Sequence, residues 1–161
     1  HYSFLKKNIK LNKIKNFKTI KSAIYNTESS MKFVKVLEHS PKSHLRVEKK
    51  KVKSCGKKLY FYVKVKPLKK IIKNFDFIKI DTEGSEAKMI LSLNKKENFT
   101  SDMLIEISNK KNAKDIYNHL KKLKIKFNNL SLFKPKIVKK VSDMPSSHLD
   151  GFLFINKIKK N

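Results

Sequence analysis

The feature that most limits what this chain can fold into is the run Phe75-Asp76-Phe77-Ile78-Lys79-Ile80, which breaks off at Asp81-Thr82-Glu83-Gly84-Ser85. A nearly continuous apolar run suits a central parallel strand covered on both faces, because such strands do not alternate between apolar and polar residues. The polar, glycine-bearing stop marks the strand's carboxyl end. Ala87, Ile90, Leu91 and Leu93 then follow at the spacing of an inward helix face. Met103–Ile107 is a second buried strand, ending in Glu106-Ile107-Ser108, and residues 112–123 place Ile116, Leu120 and Leu123 on one helical side. Strand, helix, strand, helix predicts an α/β sheet with right-handed crossovers. Residues 75–81 are expected at its centre, between strands at 103–107 and 17–24. Ile125–Phe133 and Gly151–Ile158 are the last two strands. A long connection with Pro135 and Pro145 but no helix separates them, so they are expected to pair as an antiparallel hairpin at one edge.

The first half is less regular. Tyr2, Leu5, Ile9, Leu11 and Ile14 lie near a helical period with lysines between them, which predicts an amphipathic helix ending around Asn12–Asn16. Phe17–Ile24 reads as a short buried strand, Asn26–Ser30 as a turn, and Met31–Leu37 as an alternating strand. Residues 38–58, with Pro41 and Gly56, are polar and weakly patterned and read as a loop. Leu59–Val65 returns to strand character. Pro67 can open a helix, since proline tolerates the first turn, and Leu68, Ile71, Ile72 and Phe75 give that helix one apolar face. A chain of 161 residues holds one domain, 1–161, with one sizeable core.

The net charge of +27 would ordinarily suggest a nucleic acid or an anionic membrane as partner. Of the 40 Lys and Arg residues, however, only Arg46 is an arginine. Dedicated readers of phosphate and guanine favour the bidentate guanidinium fork. Lys, Ile and Asn also share codons rich in A and T, so genome composition can supply the charge. The lysines are therefore expected to be dispersed and solvated, with no specific nucleic-acid partner. A lysine-rich nucleic-acid-binding α/β domain without catalytic activity is the alternative. No apolar run approaches the roughly 20 residues of a membrane span. His1-Tyr2-Ser3-Phe4 has no initiator methionine and resembles no signal peptide, so the sequence is expected to start inside a longer chain. With the single cysteine Cys55 and no Cys/His set at zinc spacing, a reducing cytoplasm is the expected setting.

In open α/β sheets, ligands bind beyond the carboxyl ends of the strands. Two strands here end in acid, with Asp81 and Glu83 after the first and Glu106 near the end of the second. Asp76, Asp81, Glu83 and Glu86 are four of only 13 acids, gathered between positions 76 and 86, and Gly84 lets the backbone turn sharply there. Helix capping is the competing explanation for Glu83, Ser85 and Glu86. Asp81, which abuts the strand itself, is the hardest to explain that way. A carboxylate cluster of this kind suits magnesium as well, though less well than a role in acid–base chemistry. Gly56, Gly84 and Gly151 are the only glycines, so no phosphate-cradling loop is encoded. His39, His44, His119 and His148 are isolated, and Ser146-Ser147-His148 lacks the glycines of a nucleophile elbow. Cys55 beside Gly56 reads as a free surface thiol.

Phe77-Ile78-Lys79-Ile80-Asp81-Thr82-Glu83-Gly84-Ser85-Glu86 resembles the lysine–isoleucine–aspartate–x–glutamate–glycine–x–glutamate signature of FkbM-type methyltransferases. Leu5–Asn12 is similar to that family's helix with two spaced asparagines. Ser22-Ala23-Ile24 resembles the end of its third sheet strand, and Met103–Glu106 the strand that ends in glutamate. The resemblance implies a Rossmann-like class I methyltransferase sheet, incomplete at the N-terminus, of which this chain is the C-terminal two-thirds. It implies S-adenosylmethionine as cofactor and methyl transfer, commonly to oxygen, on a small-molecule or glycan acceptor. Asp81, Glu83 and Glu106 then become candidates for the base or for orienting the acceptor, while Ser22, Ala23 and Asp81 would lie against the cofactor. The family's glycine loop and ribose-binding acid have no counterpart in the sequence, so this chain alone is expected to be inactive.

Overall fold

A computed structural model describes residues 2–37, 43–45, 57–82, 84–131, 135–147 and 149–158. The elements are α1 (Tyr2–Leu11), β1 (Ala23–Tyr25), β2 (Ser29–Val36), β3 (His44–Leu45), β4 (Lys58–Pro67), α2 (Leu68–Ile71), β5 (Phe77–Ile80), α3 (Glu86–Leu91), β6 (Asp102–Glu106), α4 (Lys110–Lys122), β7 (Phe127–Leu130), β8 (Pro135–Ile137) and β9 (Phe152–Ile155). The class is α/β, as expected. Among the described residues, however, the strands form two sheets, ordered β1-β4-β2-β3 and β5-β6-β9-β7-β8.

β5 lies parallel to β6, joined through α3, and β9 runs antiparallel to both β6 and β7. The expected central place of residues 75–81 is therefore corrected: among the described residues β5 is an edge strand, paired on one side only. Its cover is also one-sided. Along β6 and β9 only alternate residues (Met103, Ile105, Leu153, Ile155) are fully buried, and Ile80 is buried on β5 while Phe77 and Lys79 are exposed. The register aligns Ile80 with Ile105 and Ile105 with Leu153, so one face of the sheet carries the core. Met89 and Ile90 of α3 and Ile116 and Leu120 of α4 are buried in the same cluster. Sinking a Leu, Ile or Met side chain in this way contributes about 1.5–3 kcal/mol. Apolar residues on both faces of a strand imitate a doubly covered strand in sequence, and only tertiary packing shows which face is sealed.

The last two strands pair antiparallel as expected, but not at the edge. β9 inserts between β6 and β7, and β8, from the long connection, takes the outer position beside β7. Gly151 makes this possible. Its φ is +107°, and a Cβ there would stand 2.4 Å from the Leu130 carbonyl oxygen. Only a residue without a side chain brings β9 against the end of β7.

The segment 17–24 is not a strand beside β5. Residues 17–22 are irregular, and β1 begins at Ala23, parallel to β4 in the other sheet. In that sheet β2 and β4 form a long antiparallel ladder from Ser29↔Val65 to Val36↔Lys58. The loop expected at 38–58 lies mostly outside the described residues; of its described part, His44–Leu45 form β3, which pairs with β2, and Lys58 already belongs to β4. Pro67 precedes α2, as its fixed φ favours, and the chain continues through a 3-10 turn over Ile72–Asn74. α1 ends at Leu11, just short of the expected Asn12–Asn16, and none of its residues is buried. None of the described lysines is buried either, and they occur on both sheets and all four helices.

Candidate functional site

The turn after β5 is built around Glu86, the first residue of α3, whose residue exposure is 1%. One carboxyl oxygen, Oε1, accepts from the Thr82 amide at 3.2 Å, the Thr82 hydroxyl at 3.1 Å and the Gly84 amide at 2.9 Å. The other, Oε2, accepts from the Ser108 hydroxyl at 3.1 Å and the Asn112 side-chain amide at 3.0 Å. Asn112 also donates to the Gly84 carbonyl at 3.3 Å. One buried carboxyl group thus ties the loop after β5 to the loop after β6, which is the region where open α/β sheets bind ligands. Five donors on one group also explain why a carboxylic acid is tolerated at this depth. The positive φ of Gly84, +109°, sets the turn so that both Thr82 and Gly84 face the same oxygen. Glu86 therefore organises the loop from inside. The capping explanation holds for it in a modified form, because it caps loop amides ahead of α3.

Two of the acids expected to do chemistry, Asp81 and Glu106, lie on the opposite face. Asp81 is exposed and its Oδ2 pairs with Lys79 Nζ at 3.3 Å. Glu106 ends β6, half-buried, opposite Phe152 in the register. Since Ile80 pairs with Ile105, continuing the register by one residue sets Asp81 level with Glu106 on the neighbouring strand. Side chains alternate along strands, so both acids belong to the open face, away from α3 and α4. The Lys79 ammonium, 5.8 Å from the Phe152 ring centroid, occupies the same face. The sequence-based pairing of Asp81 with Glu106 thus corresponds to one corner of the molecule. Glu83 lies outside the described residues.

Ser22 and Ala23 sit elsewhere. The Ser22 hydroxyl donates to the Lys64 carbonyl at 2.9 Å, and Ala23 opens β1 opposite Val65. They mark the start of their strand, where the sequence suggested its end, because the preceding residues take no strand partner. Among the described residues no three His, Cys, Asp or Glu side chains gather to hold a metal ion. His119 is half-buried on α4, with Nε2 3.1 Å from the Leu93 carbonyl, and so acts as a structural link to the end of α3. Cys55, His39 and His148 lie outside the described residues.

Sequence reasoning named the exposed acids and treated Glu86 only as a possible cap. Its larger role shows only in the folded chain, where the next strand–helix junction brings Ser108 and Asn112 to Glu86. No helix of the described residues is long and apolar enough to cross a membrane. Compared with protein-family models, curated proteins and solved structures, the chain matches none.

Proposed function

We propose that the corner formed by Asp81 and Glu106 is the acceptor side of an S-adenosylmethionine-dependent methyltransferase site of the FkbM kind, acting on the hydroxyl of a small molecule or glycan. The observation that carries this reading is the Asp81–Glu86 loop. Its terminal acid is buried and fully bonded, and its first acid is exposed just past the end of β5, whose last residue pairs with Ile105, the neighbour of Glu106. One acid fixes the loop and the other is left exposed to serve as a proton acceptor for a bound hydroxyl. A hydroxyl acceptor must lose its proton as it is methylated, and a carboxylate within hydrogen-bond reach takes that proton. Asp81 fills this role, with Lys79 keeping it paired, while Glu106 orients the acceptor.

The described residues do not by themselves fit the cofactor. The Ser22 hydroxyl is committed to a backbone carbonyl, and the groove along β5 is lined almost wholly by apolar groups. Neither offers the donors that the amino-acid end of S-adenosylmethionine needs, so the chain alone binds it weakly. The test is an amide NMR titration with millimolar S-adenosylmethionine. Shifts concentrated at Thr82, Gly84 and residues 106–108 support the reading, and shifts that avoid this loop sink it.

A second reading, a nucleic-acid-binding domain, is favoured by one arrangement on the other sheet. Lys32 Nζ lies 6.0 Å from the Tyr60 ring centroid and 5.8 Å from that of Tyr62, and both rings are more than half exposed. Aromatic faces with interleaved cations stack single-stranded bases at about 1–3 kcal/mol each. Replacing Tyr60 and Tyr62 by alanine separates this reading from mere charge attraction. A platform loses affinity for oligothymidylate at high salt, whereas a diffuse cation shows only a salt-dependent loss that both proteins share.

A further inference from the structure

The free edge of β5 borders an apolar groove. It has a volume of about 270 Å³ and is lined by Ile24 of β1, Leu68 and Ile71 of α2, Phe77 and Ile78 of β5, and Met89 of α3. Two of its aromatic side chains, Phe75 and Phe77, are 50% and 55% exposed. Its wall is braced, because the buried Ser101 hydroxyl donates to the carbonyls of Ile72 and Phe75. Two strand edges contribute to it. Among the described residues β5 pairs only with β6, and β1 only with β4.

We infer that this groove receives an extended peptide that adds to β5 as a strand, apolar in its centre and acidic at its flanks. Three features point to that occupant. An edge strand presents unpaired amides and carbonyls that only another extended backbone satisfies along their length. The groove is lined almost wholly by apolar side chains, which suits the alternate side chains of an added strand, since these enter such pockets and give strand addition its specificity. The cations on one wall are unmatched: Lys69 and Lys73 are exposed on the segment that forms it, whereas the acids flanking β5, Asp76 and Asp81, are already paired with Lys157 and Lys79. Acidic flanks complement them. A second copy of this chain is a poor occupant by the same reasoning, since two molecules of net charge +27 repel each other. The inference is independent of the methyltransferase reading.

The probe is a short synthetic peptide with central Val and Ile residues and Asp and Glu at both ends, labelled for fluorescence anisotropy. Two variants accompany it, one with Lys at the ends and one with Pro at the centre. The acid-flanked peptide should bind at least about ten-fold more tightly than either variant. It should also slow amide exchange at residues 77–80, and Phe75→Glu, which places a negative charge at an already exposed position, should weaken it. Equal binding of the Pro-interrupted peptide, protection at β3 or β8 with none at β5, or no binding at all would overturn the inference. Self-association that protects residues 77–80 without peptide would overturn it too, by making a second copy the occupant.

Discussion

At the scale of single residues, two acids do unlike things. Glu86 collects five donors at near-zero exposure. Glu86→Ala leaves several of them unsatisfied, and at about 1–3 kcal/mol per orphaned buried group the loss should reach about 3 kcal/mol or more in urea unfolding. Glu86→Gln keeps an acceptor but turns an amide toward some of the donors, so it should cost less than the alanine variant. Asp143 is a different case. The Lys136 ammonium at 2.8 Å, together with the Lys140 and Lys139 amides at 3.1 Å, holds its carboxyl group down at about 2 from an ordinary 3.8. Its folded value lies below its unfolded value, so its stabilisation is complete above pH 3.8 and is lost as pH falls through about 2. Asp143→Asn should flatten the pH dependence of unfolding over that interval, leaving stability near neutrality reduced. An unchanged acid limb in the variant would show that this network contributes nothing.

At the scale of elements, α4 is the clearest link between sequence and energy. Asn109 caps it by accepting from the Asn112 amide at 2.9 Å, and His119, Lys121 and Lys122 in its last turn suit the negative end of the helix dipole. Asn109→Ala should cost about 1 kcal/mol, and Ile116→Ala, at a fully buried site, about 2–5 kcal/mol. Equal costs in thermal unfolding would contradict the placement of Ile116 in the core. Local pattern made such elements legible: periodic apolar residues gave α3 and α4, alternation gave β2, and the aromatic and β-branched run Leu59–Val65 gave β4. The partners of strands were not legible in the same way. Nothing local to residues 75–80 distinguishes an edge from a centre, and the approach of β9 to β7 depends on the absence of a side chain at Gly151. Of the candidate site, Asp81 and Glu106 could be read from their strand ends. The buried anchor could not, because Glu86, Ser108 and Asn112 meet only once two strand–helix junctions lie side by side.

At the scale of the whole molecule, the sealed face of the β5–β6–β9 sheet carries the core and the Glu86 anchor, while its open face carries Asp81, Glu106 and Lys79. Charge spread over every helix keeps the molecule strongly cationic without burying a single described lysine, so weak binding to polyanions should fall steeply with salt. The central claim is that the exposed acid at the end of β5 faces a methyl donor and its acceptor. Calorimetric titration of the chain with S-adenosylmethionine, beside its Asp81→Asn variant, tests it most directly. We expect weak, millimolar binding that the variant loses while unfolding at the same temperature. Micromolar binding, or binding untouched by the substitution, would contradict the account, because the cofactor would then be held by residues other than those at this strand end.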